Sequence, residues 1–522
     1  MRNIGEIVLL NSNYYPNKRA VVDSQKEFTW KEVNDRVNRL AHALLELGCR
    51  KGDRIALLSY NSSEYVEITF ACGKLGLVFV PLNFRLALKE IEYILQDSTP
   101  TTLFFGEEFS EIASSLIPNF SLNYIGIGSE VEGAKEYEEL IKSNSPLEPF
   151  TEEVTGDDPA EILYTSGTTG LAKGVLHTHR ARLEGLIALV MASNLGHNDV
   201  YLVNVPPLFH GGGLVWMLAS AYVGASIIIS ELRGFDAEAI LDTVQKEKIT
   251  ILPLVPITIM QLIDFPQLER YDFSSLRLIF YATAPMPIGP LRKAIDTFGN
   301  IFMQLYGLTE AGPTVTCLSI EDHDIGELSD AEAEKRLRSC GRPWRGIFVK
   351  IVDDNGQEVP PDTVGEIVVK STDILDCYWN KEEETRKTIK DGWLYTGDLA
   401  TYDKDYFIYL VDRKKDMIIS GGENIYPAEV EGVIYKHPAV DQCAVIGVPD
   451  DRWGEAVKAF VVTVRGQKIT EKELIEFCKK SLASYKKPKS IEFLNELPRS
   501  AQGKILKQVL REKYWGSRDR KI

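Results

Sequence analysis

Apolar positions along the first hundred residues switch between two spacings. From Val33 to Leu44 they recur on one helical face, and the preceding Thr29-Trp30-Lys31-Glu32 has capping-box spacing, which predicts an amphipathic helix. Short apolar runs then alternate with further helical stretches. Strands are predicted over 55–58, 78–80 and 102–105, and helices over about 62–74 and 91–95. This alternation predicts a parallel, doubly wound α/β sheet.

The pattern changes after Gly341. Between Gly341 and Asp412, short apolar runs separated by turns predict a small β-rich subdomain. Beyond the charged run Asp412-Arg413-Lys414-Lys415-Asp416, strands and a helix over 471–482 predict a mixed unit. We place the domain boundary at this run, which predicts domains 1–412 and 413–522. The apolar stretch from Leu214 to Ile229 is short and changes from helical to β-branched spacing, so it predicts a buried helix and strand rather than a transmembrane segment.

Composition narrows the class of partner and the compartment. Among 522 residues, 75 Asp and Glu outnumber 59 Lys and Arg, which argues against nucleic acid because binding a polyanion needs clustered cations. The seven cysteines are widely spaced with no C-x-x-C pair, which indicates reduced thiols rather than disulfides or a zinc site. Neither end carries a signal pattern or a peroxisomal tripeptide. We expect a cytoplasmic protein.

The segment from Tyr164 to Val175 carries the most specific chemistry of the chain. Its glycines let the backbone approach a ligand closely, its hydroxyls can donate to phosphate oxygens, and Lys173 adds a cation. The residues of this predicted phosphate loop are Thr165, Ser166, Gly167, Thr168, Thr169, Gly170 and Lys173. It is not a P-loop, because that motif would require glycine where Ala172 stands. The segment therefore predicts a nucleoside triphosphate ligand.

This loop resembles the phosphate loop of the adenylate-forming superfamily, which includes acyl-CoA synthetases, firefly luciferase and the adenylation domains of peptide synthetases. A second segment, Gln304 to Gly312, resembles the family's next nucleotide motif. The resemblance implies that Tyr306 stacks on adenine beside Gly307, that Thr309 donates to phosphate, and that Glu310 provides the oxygen ligand that Mg²⁺ prefers. It also implies a nucleotide contact at Ala284 and a metal-ligating, catalytic role for Thr169.

Three later segments follow in the family's order. Tyr395 to Leu399 resembles the ribose motif and assigns Asp398 to the ribose hydroxyls, with Arg413 as a second nucleotide contact. Val411 to Glu431 resembles the interdomain linker, which implies a hinge at Lys415. The resemblance further assigns the glycine pair Gly421 and Gly422 to a thiol tunnel, and Lys504, in the segment from Pro498 to Ile505, to catalysis between the carboxylate and the α-phosphate.

Because the five motifs extend over nearly the whole chain, the protein is identified as a member of this superfamily, in its acid-CoA ligase branch. The resemblance implies an α/β fold: a large N-terminal domain of parallel α/β sheets, a small β-barrel subdomain and a small mobile α+β C-terminal domain. It implies an AMP-forming acyl-CoA synthetase that uses ATP, Mg²⁺ and coenzyme A. A homodimer is one candidate assembly, and the oligomeric state stays open.

The acid and the thiol acceptor are read from further segments. Pro206 to Gly213 resembles the acyl-pocket motif and implies that His210 lies beside the acyl carboxylate. The pocket is expected to draw on His210, Leu254, Val255, Pro256, Thr283 and Leu305, which favours a hydrophobic monocarboxylic acid. Positions Arg85, Tyr485 and Lys487 fall where aryl-CoA ligases bind the adenine and phosphates of CoA; a solvated basic loop is the alternative.

Several functions stay open at this level. A medium- to long-chain fatty acid is favoured, and an aryl-CoA ligase acting on a benzoate- or cinnamate-type acid is the alternative. A catalytically silent adenylate-binding homologue is expected to lose Glu310 or Lys504, and both are present. A luciferase-like oxygenase would be distinguished by oxygen consumption or light after adenylation.

Overall fold

A computed structural model describes residues 1–165, 172–230, 234–284, 286–326, 328–420, 423–450, 452–499 and 505–516. The chain forms two compact units. The first comprises Met1–Val349 and Val369–Leu394, and the second comprises Lys350–Val368 and Tyr395–Ile522. The predicted boundary at 412/413 lies within the second unit, and an independently moving C-terminal domain 413–522 stays a prediction.

The helices of the described residues are α1 Glu6–Tyr14, α2 Trp30–Glu46, α3 Ser63–Leu75, α4 Leu88–Ser98, α5 Ser110–Leu116, α6 Tyr137–Ser143, α7 His179–Ser193, α8 Gly211–Tyr222, α9 Ala237–Glu247, α10 Pro256–Ile263, α11 Ile288–Phe298, α12 Ile320–His323, α13 Asp330–Arg338, α14 Glu382–Thr388, α15 Pro427–Ile434, α16 Glu471–Lys479 and α17 Lys507–Trp515. Short 3₁₀ turns are Glu107–Phe109, Leu268–Arg270, Thr309–Ala311 and Lys414–Asp416.

The strands of the described residues are β1 Arg19–Val22, β2 Glu27–Thr29, β3 Arg54–Leu58, β4 Val78–Pro81, β5 Thr102–Gly106, β6 Asn123–Ile127, β7 Lys135–Glu136, β8 Pro159–Thr165, β9 Lys173–Thr178, β10 Val200–Val203, β11 Ser226–Ile229, β12 Ile251–Leu254, β13 Leu278–Tyr281, β14 Phe302–Leu308, β15 Gly312–Leu318, β16 Arg342–Pro343, β17 Phe348–Val352, β18 Gly365–Lys370, β19 Cys377–Tyr378, β20 Ile389–Lys390, β21 Trp393–Tyr402, β22 Ile408–Arg413, β23 Ile418–Ser420, β24 Glu423–Ile425, β25 Val440–Asp450, β26 Gly454–Thr463 and β27 Ser490–Phe493.

Two sheets form the framework of the first unit. One has the order β19-β9-β8-β4-β3-β5-β6-β7, in which β8, β4, β3, β5, β6 and β7 pair in parallel. The other has the order β16-β15-β14-β13-β12-β10-β11-β1-β2, with parallel pairing from β14 to β1. Because neighbouring parallel strands end at the same sheet edge, the segments after β12 and β13 and the last residues of β14 lie side by side, and ligands bind at such edges.

The central strands of both sheets, such as β3, β4, β5, β11, β12 and β13, are apolar and buried, as expected for parallel sheets with helices on both faces. The largest core cluster joins residues of α2, α3, α7 and α8 to the strands, with Trp30 and Trp216 fully buried. The predicted capping box of α2 is present: the Thr29 hydroxyl accepts from the Glu32 N–H, and Glu32 accepts from the Thr29 N–H. The stretch from Leu214 to Ile229 forms the buried end of α8 followed by β11, as predicted.

The second unit contains most of a sheet ordered β17-β18-β21-β20, with β22 on β21, which corresponds to the predicted β-rich subdomain. A further sheet has the order β24-β23-β26-β25 with β27 on β26. Helices α15 and α16 bury apolar residues against this sheet in a core of their own. Within the described residues, no helix is long and apolar enough to cross a membrane.

Candidate active site

The predicted phosphate loop leaves the sheet at the hairpin of β8 and β9. Thr165 is the last residue of β8 and pairs directly with Lys173, the first residue of β9. The loop residues Ser166, Gly167, Thr168, Thr169 and Gly170 lie outside the described residues. Antiparallel pairing at both ends means that the loop begins and ends at one edge of the sheet.

Lys173 is held by the segment around β19 and α14. Its Nζ lies 2.9 Å from the Glu384 carboxylate and 5.3 Å from the ring centre of Tyr378. Its side chain is only 15% exposed, so this cation is largely shielded from water. An anionic phosphate that approaches Lys173 must compete with Glu384, since both are attracted to the same ammonium group.

The second predicted nucleotide segment forms the hairpin of β14 and β15. Tyr306 is buried near the end of β14, and the 3₁₀ turn Thr309–Ala311 connects the strands. A Cβ on Gly307 would lie 2.4 Å from the Gly312 carbonyl oxygen, so the hairpin requires glycine there. Close backbone packing therefore explains the glycine beside the predicted adenine-stacking ring.

Glu310 and Thr309 are fixed from neighbouring strands. The Tyr378 hydroxyl donates to Glu310 Oε1 at 3.0 Å, and the Leu375 N–H donates to the Glu310 carbonyl at 2.8 Å. His177 Nε2 donates to the Thr309 carbonyl at 2.8 Å. Burial first, then the charge of Glu310, raises the pKa of Tyr378, so the hydroxyl keeps its proton and remains a donor.

The donor set at this turn fits Mg²⁺. Glu310 is half-buried, so its carboxylate is oriented by Tyr378 yet reaches the surface of the first unit. Carboxylate and hydroxyl oxygens are the ligands that Mg²⁺ prefers, usually beside substrate phosphates. Glu310 and the adjacent Thr309 are thus suited to the metal and phosphates of a bound nucleotide.

His210 caps the helix that follows the predicted acyl-pocket motif. Its Nδ1 accepts from the Gly212 N–H at 3.1 Å, which leaves the proton of the neutral ring on Nε2. A Cβ on Gly213 would lie 2.3 Å from the Pro207 carbonyl oxygen, so glycine is required at this helix start. Any rotation of His210 to admit a thiol would have to break the helix cap.

Strand ends complete this edge of the first unit. Leu254 on β12 and Leu305 on β14 are buried. Strand β13 lies between β12 and β14 and ends at Tyr281, and Thr283 and Ala284 in the segment that follows are exposed. Thr283 has φ of 74°, an unusual value for a β-branched residue and one that is typical of constrained functional loops. Arg85 is also exposed, and its guanidinium lies 5.3 Å from the Phe84 ring centre.

In the second unit, Asp398 and Arg413 are directly opposite each other on β21 and β22. Arg413 Nε lies 2.7 Å from Asp398 Oδ1, and Asp398 is buried while Arg413 is half-exposed. The Arg413 guanidinium thus orients the Asp398 carboxylate. The structure thus brings together the two residues assigned to the ribose.

The predicted hinge is the 3₁₀ turn Lys414–Asp416. Burial lowers the pKa of Lys415, and the nearby Arg413 and Arg511 lower it further against the opposing effect of Asp416. Asp416 itself pairs with Arg511 at 2.7 Å. The turn is therefore a dense cluster of charges.

The remaining predicted residues are more scattered. Tyr485 is exposed and Lys487 half-buried in a loop where the neighbouring Lys486 pairs with Glu429 at 2.8 Å. Gly421, Gly422 and Lys504 lie outside the described residues. Arg499 and Ile505, which flank Lys504, form an antiparallel bridge.

Comparison with known proteins decides the family. The family model of the AMP-binding enzyme matches residues 10–379, and that of the AMP-binding enzyme C-terminal domain matches residues 429–504. This chain belongs to the AMP-binding enzyme family. It is accordingly an AMP-forming acid–thiol ligase of the acyl-CoA synthetase type, and its described architecture agrees with that of adenylate-forming enzymes.

Similar proteins cover the full length of the ligase. A fatty acid–[acyl-carrier-protein] ligase, ScoC, of Streptomyces coeruleorubidus is 34% identical, over 100% of this chain and 98% of the relative. A feruloyl-CoA synthase of an Amycolatopsis species is 37% identical, over 98% and 100%. The solved structure of a Mycobacterium tuberculosis fatty acyl CoA synthetase matches with a TM-score of 0.78 at 34% identity, over 99% of both chains.

Sequence reasoning missed the residues that hold the predicted site in place. Tyr378, Glu384 and His177 carry no local motif. Tyr378 and His177 reach Glu310 and Thr309 from strands β19 and β9, and Glu384 reaches Lys173 from α14. Tyr378 is 68 positions from Glu310 along the chain. Its place directly opposite Val175, in the antiparallel pairing of β19 with β9, determines these contacts.

A buried group of charges lies behind the turn at Glu310. Arg182 of α7 pairs with Glu161 of β8, and its Nη1 lies 3.8 Å from Asp373 Oδ1. These side chains are 2%, 1% and 6% exposed. Burial raises the pKa of Asp373 to about 7, with Arg182 opposing and Glu161 and Glu184 reinforcing the rise.

Asp373→Asn should change the pH dependence of stability. Since the folded-state pKa of Asp373 lies above its ordinary value of 3.8, the carboxyl group ionises first in the unfolded state, which removes stability as pH rises toward 7. Relative to the Asn variant, the wild type should lose up to ~1.4 kcal/mol of unfolding free energy per pH unit between about pH 5 and 7, with no further change above about pH 8. Urea unfolding across this range measures the difference, and a constant difference would contradict the raised pKa.

Proposed function

We propose that this ligase activates a hydrophobic monocarboxylic acid with ATP and transfers the acyl group to CoA. The observation that carries the proposal is the arrangement around Tyr378, whose ring faces Lys173 and whose hydroxyl orients Glu310. A cation for phosphate and a carboxylate for Mg²⁺ are thereby held by one side chain. This is the pairing that a metal-bound nucleoside triphosphate requires.

In the first step, a carboxylate oxygen of the acid attacks the α-phosphorus of ATP, and pyrophosphate leaves to give an acyl-adenylate. We assign Lys173 to the phosphate oxygens and Tyr306 to a packing contact with the adenine. Mg²⁺ held by Glu310, with Thr169 as its second proposed ligand, would neutralise phosphate charge. We assign Lys504 to the charge that develops between carboxylate and α-phosphate, and Asp398 with Arg413 to the ribose.

In the second step, the CoA thiolate attacks the acyl carbonyl carbon, and AMP leaves as the thioester forms. We assign His210 to the acyl group, which it would face with Nε2 because Nδ1 accepts from the Gly212 N–H at the helix cap. We assign Arg85, Tyr485 and Lys487 to CoA, because a guanidinium, an exposed ring and an ammonium group suit its phosphates and adenine. Gly421 and Gly422 are assigned to the passage of the pantetheine arm.

An aromatic stack that includes Trp216, on the helix that His210 caps, limits the size of the acid that we propose. Trp216 lies on α8, which His210 caps, and its ring is stacked on Phe280 of β13 with centroids 3.9 Å apart at 11°. Both side chains are buried. An acyl group that enters between His210 and the end of β13 is expected to meet this stack, because Trp216 lies within two helical turns of His210 and Phe280 is the penultimate residue of β13. The stack therefore favours a compact acid, including the aromatic alternative, over a long fatty chain.

A pyrophosphate-release screen tests the proposed reaction. Short, medium and long fatty acids, benzoates and cinnamates are each assayed with ATP and Mg²⁺, alone and with CoA. We expect AMP and pyrophosphate as products and a thioester only when CoA is present. A carrier protein bearing a phosphopantetheine thiol is the comparison acceptor. Formation of ADP and phosphate, or turnover only with the carrier protein, would contradict the proposal.

Trp216→Ala should widen the acid range. Removing the indole opens space behind His210, so the ratio of kcat/KM for a long-chain acid to that for a benzoate or short acid should rise by about tenfold or more, the scale of a few buried methylenes. Trp216→Leu provides a milder change in case the Ala variant is unstable. Trp344→Ala truncates another tryptophan against the same core and should leave the ratio unchanged. An unchanged ratio in both Trp216 variants would place the acyl group elsewhere.

Lys415→Pro tests the proposed hinge. Proline restricts φ and removes an N–H donor, so a linker that must rotate between half-reactions would be held near one conformation. We expect ATP–pyrophosphate exchange to survive and thioester formation to fall steeply. Lys415→Ala removes the charge but leaves the backbone free to rotate, and serves as the control. Equal loss of both half-reactions in a folded proline variant would show that no rotation is needed.

A further inference from the structure

The Asp373 carboxylate is wedged between two backbone segments. A Cβ on Gly312 would lie 1.9 Å from Asp373 Oδ2, and a Cβ on Gly185 would lie 2.2 Å from the same atom. Gly312 follows directly on the turn that carries Thr309 and Glu310, whereas Gly185 lies on α7. The carboxylate thus acts as a spacer of fixed thickness between that turn and α7.

The same carboxylate is connected to the base of the phosphate loop. Arg182, one turn before Gly185 on α7, pairs with Asp373 on one side and with Glu161 on the other. Glu161 lies on β8, the strand that ends at Thr165. These contacts form a continuous chain. The buried Arg182 guanidinium contacts Glu161, on the strand before the phosphate loop, and also Asp373, which packs against Gly312 beside the turn with Glu310.

Stability alone does not account for such a cluster. Removing a guanidinium and two carboxyl groups from water costs more than their mutual attraction commonly returns, and apolar residues of similar volume often stabilise a core better. Buried side-chain atoms of all three residues also lack hydrogen-bond partners within the described residues, namely Glu161 Oε2, Arg182 Nε and Asp373 Oδ1. An arrangement this costly is best explained by the positions it imposes on its neighbours.

We infer that Glu161, Arg182 and Asp373 are positioning residues that set the distance between β8, which ends at Thr165, and the Thr309–Glu310 turn, and so the affinity for ATP. All three side chains are buried, so they act through β8, α7 and Gly312 and not by direct contact with ATP. The inference rests on the proposed binding of ATP at this site, but not on the identity of the acid.

Asp373→Ala tests the spacer directly. Loss of the carboxylate leaves Gly312 without its support, so KM for ATP should rise about tenfold or more while kcat of adenylation changes much less, the pattern expected when ATP binding is weakened equally in the ground state and the transition state. Asp373→Asn preserves the contact with both glycines and should restore most of the affinity. The dissociation constant of a non-hydrolysable ATP analogue, measured by calorimetry, gives a readout independent of turnover.

Two further variants separate positioning from stability. Glu161→Met with Arg182→Met replaces the ion pair by apolar side chains, and should keep the unfolding free energy near that of the wild type while weakening the analogue. Asp199→Ala breaks another ion pair, in which Arg277 Nε lies 2.6 Å from Asp199 Oδ1. Asp199 directly precedes β10 and Arg277 directly precedes β13, so this pair lies at the opposite ends of the strands from the proposed site. The variant should lower the unfolding free energy without changing the affinity for the analogue. If Asp373→Ala and the double variant bind the analogue as the wild type does, within about twofold, the cluster is structural only. If the wild type itself binds no analogue, the proposed ATP site fails instead.

Discussion

The contacts of Tyr378 are the interaction on which the candidate site depends. Its hydroxyl donates to Glu310 and its ring faces Lys173, so two segments far apart in the chain share one rigid side chain. Burial keeps the hydroxyl protonated, and an aromatic side chain has few rotamers to lose on ordering. A cation and a carboxylate can therefore be held near each other without pairing directly and neutralising one another.

Shielding a cation from water has an electrostatic cost, and two cations of the first unit offset this cost with different carboxylate partners. Lys173 is balanced by Glu384, whose side chain is partly exposed. In the interior, Arg182 is balanced by Glu161 and Asp373, which no ligand reaches because all three are buried. The partly exposed pair of Lys173 and Glu384 is therefore suited to a change of partner, whereas the buried cluster of Arg182 is suited to a constant geometry.

Glycines mark the points where backbone segments approach most closely. Gly307 lies against the Gly312 carbonyl, Gly213 against the Pro207 carbonyl, and Gly312 against Asp373. In each case a side chain would overlap backbone or a buried carboxylate, which cannot move aside as an exposed side chain can. Close backbone packing therefore shapes the site, and we expect these three glycines to tolerate no larger residue.

Local signals in the sequence were sufficient to predict many helices and strands of this protein and the family to which it belongs. The capping box at Thr29, the buried helix and strand from Leu214 to Ile229 and the alternation of β3, α3, β4, α4 and β5 follow from periodicity and end residues, because these depend on neighbours a few positions away. The motifs around Thr165, Tyr306, Asp398 and Lys504 identified the family for the same reason. Only the tertiary structure could bring Tyr378 to Glu310, pair Lys173 with Glu384, or wedge Asp373 between Gly185 and Gly312. Those contacts join residues separated by many positions, and their partners are selected by strand register and by the burial of charge, neither of which leaves a local pattern.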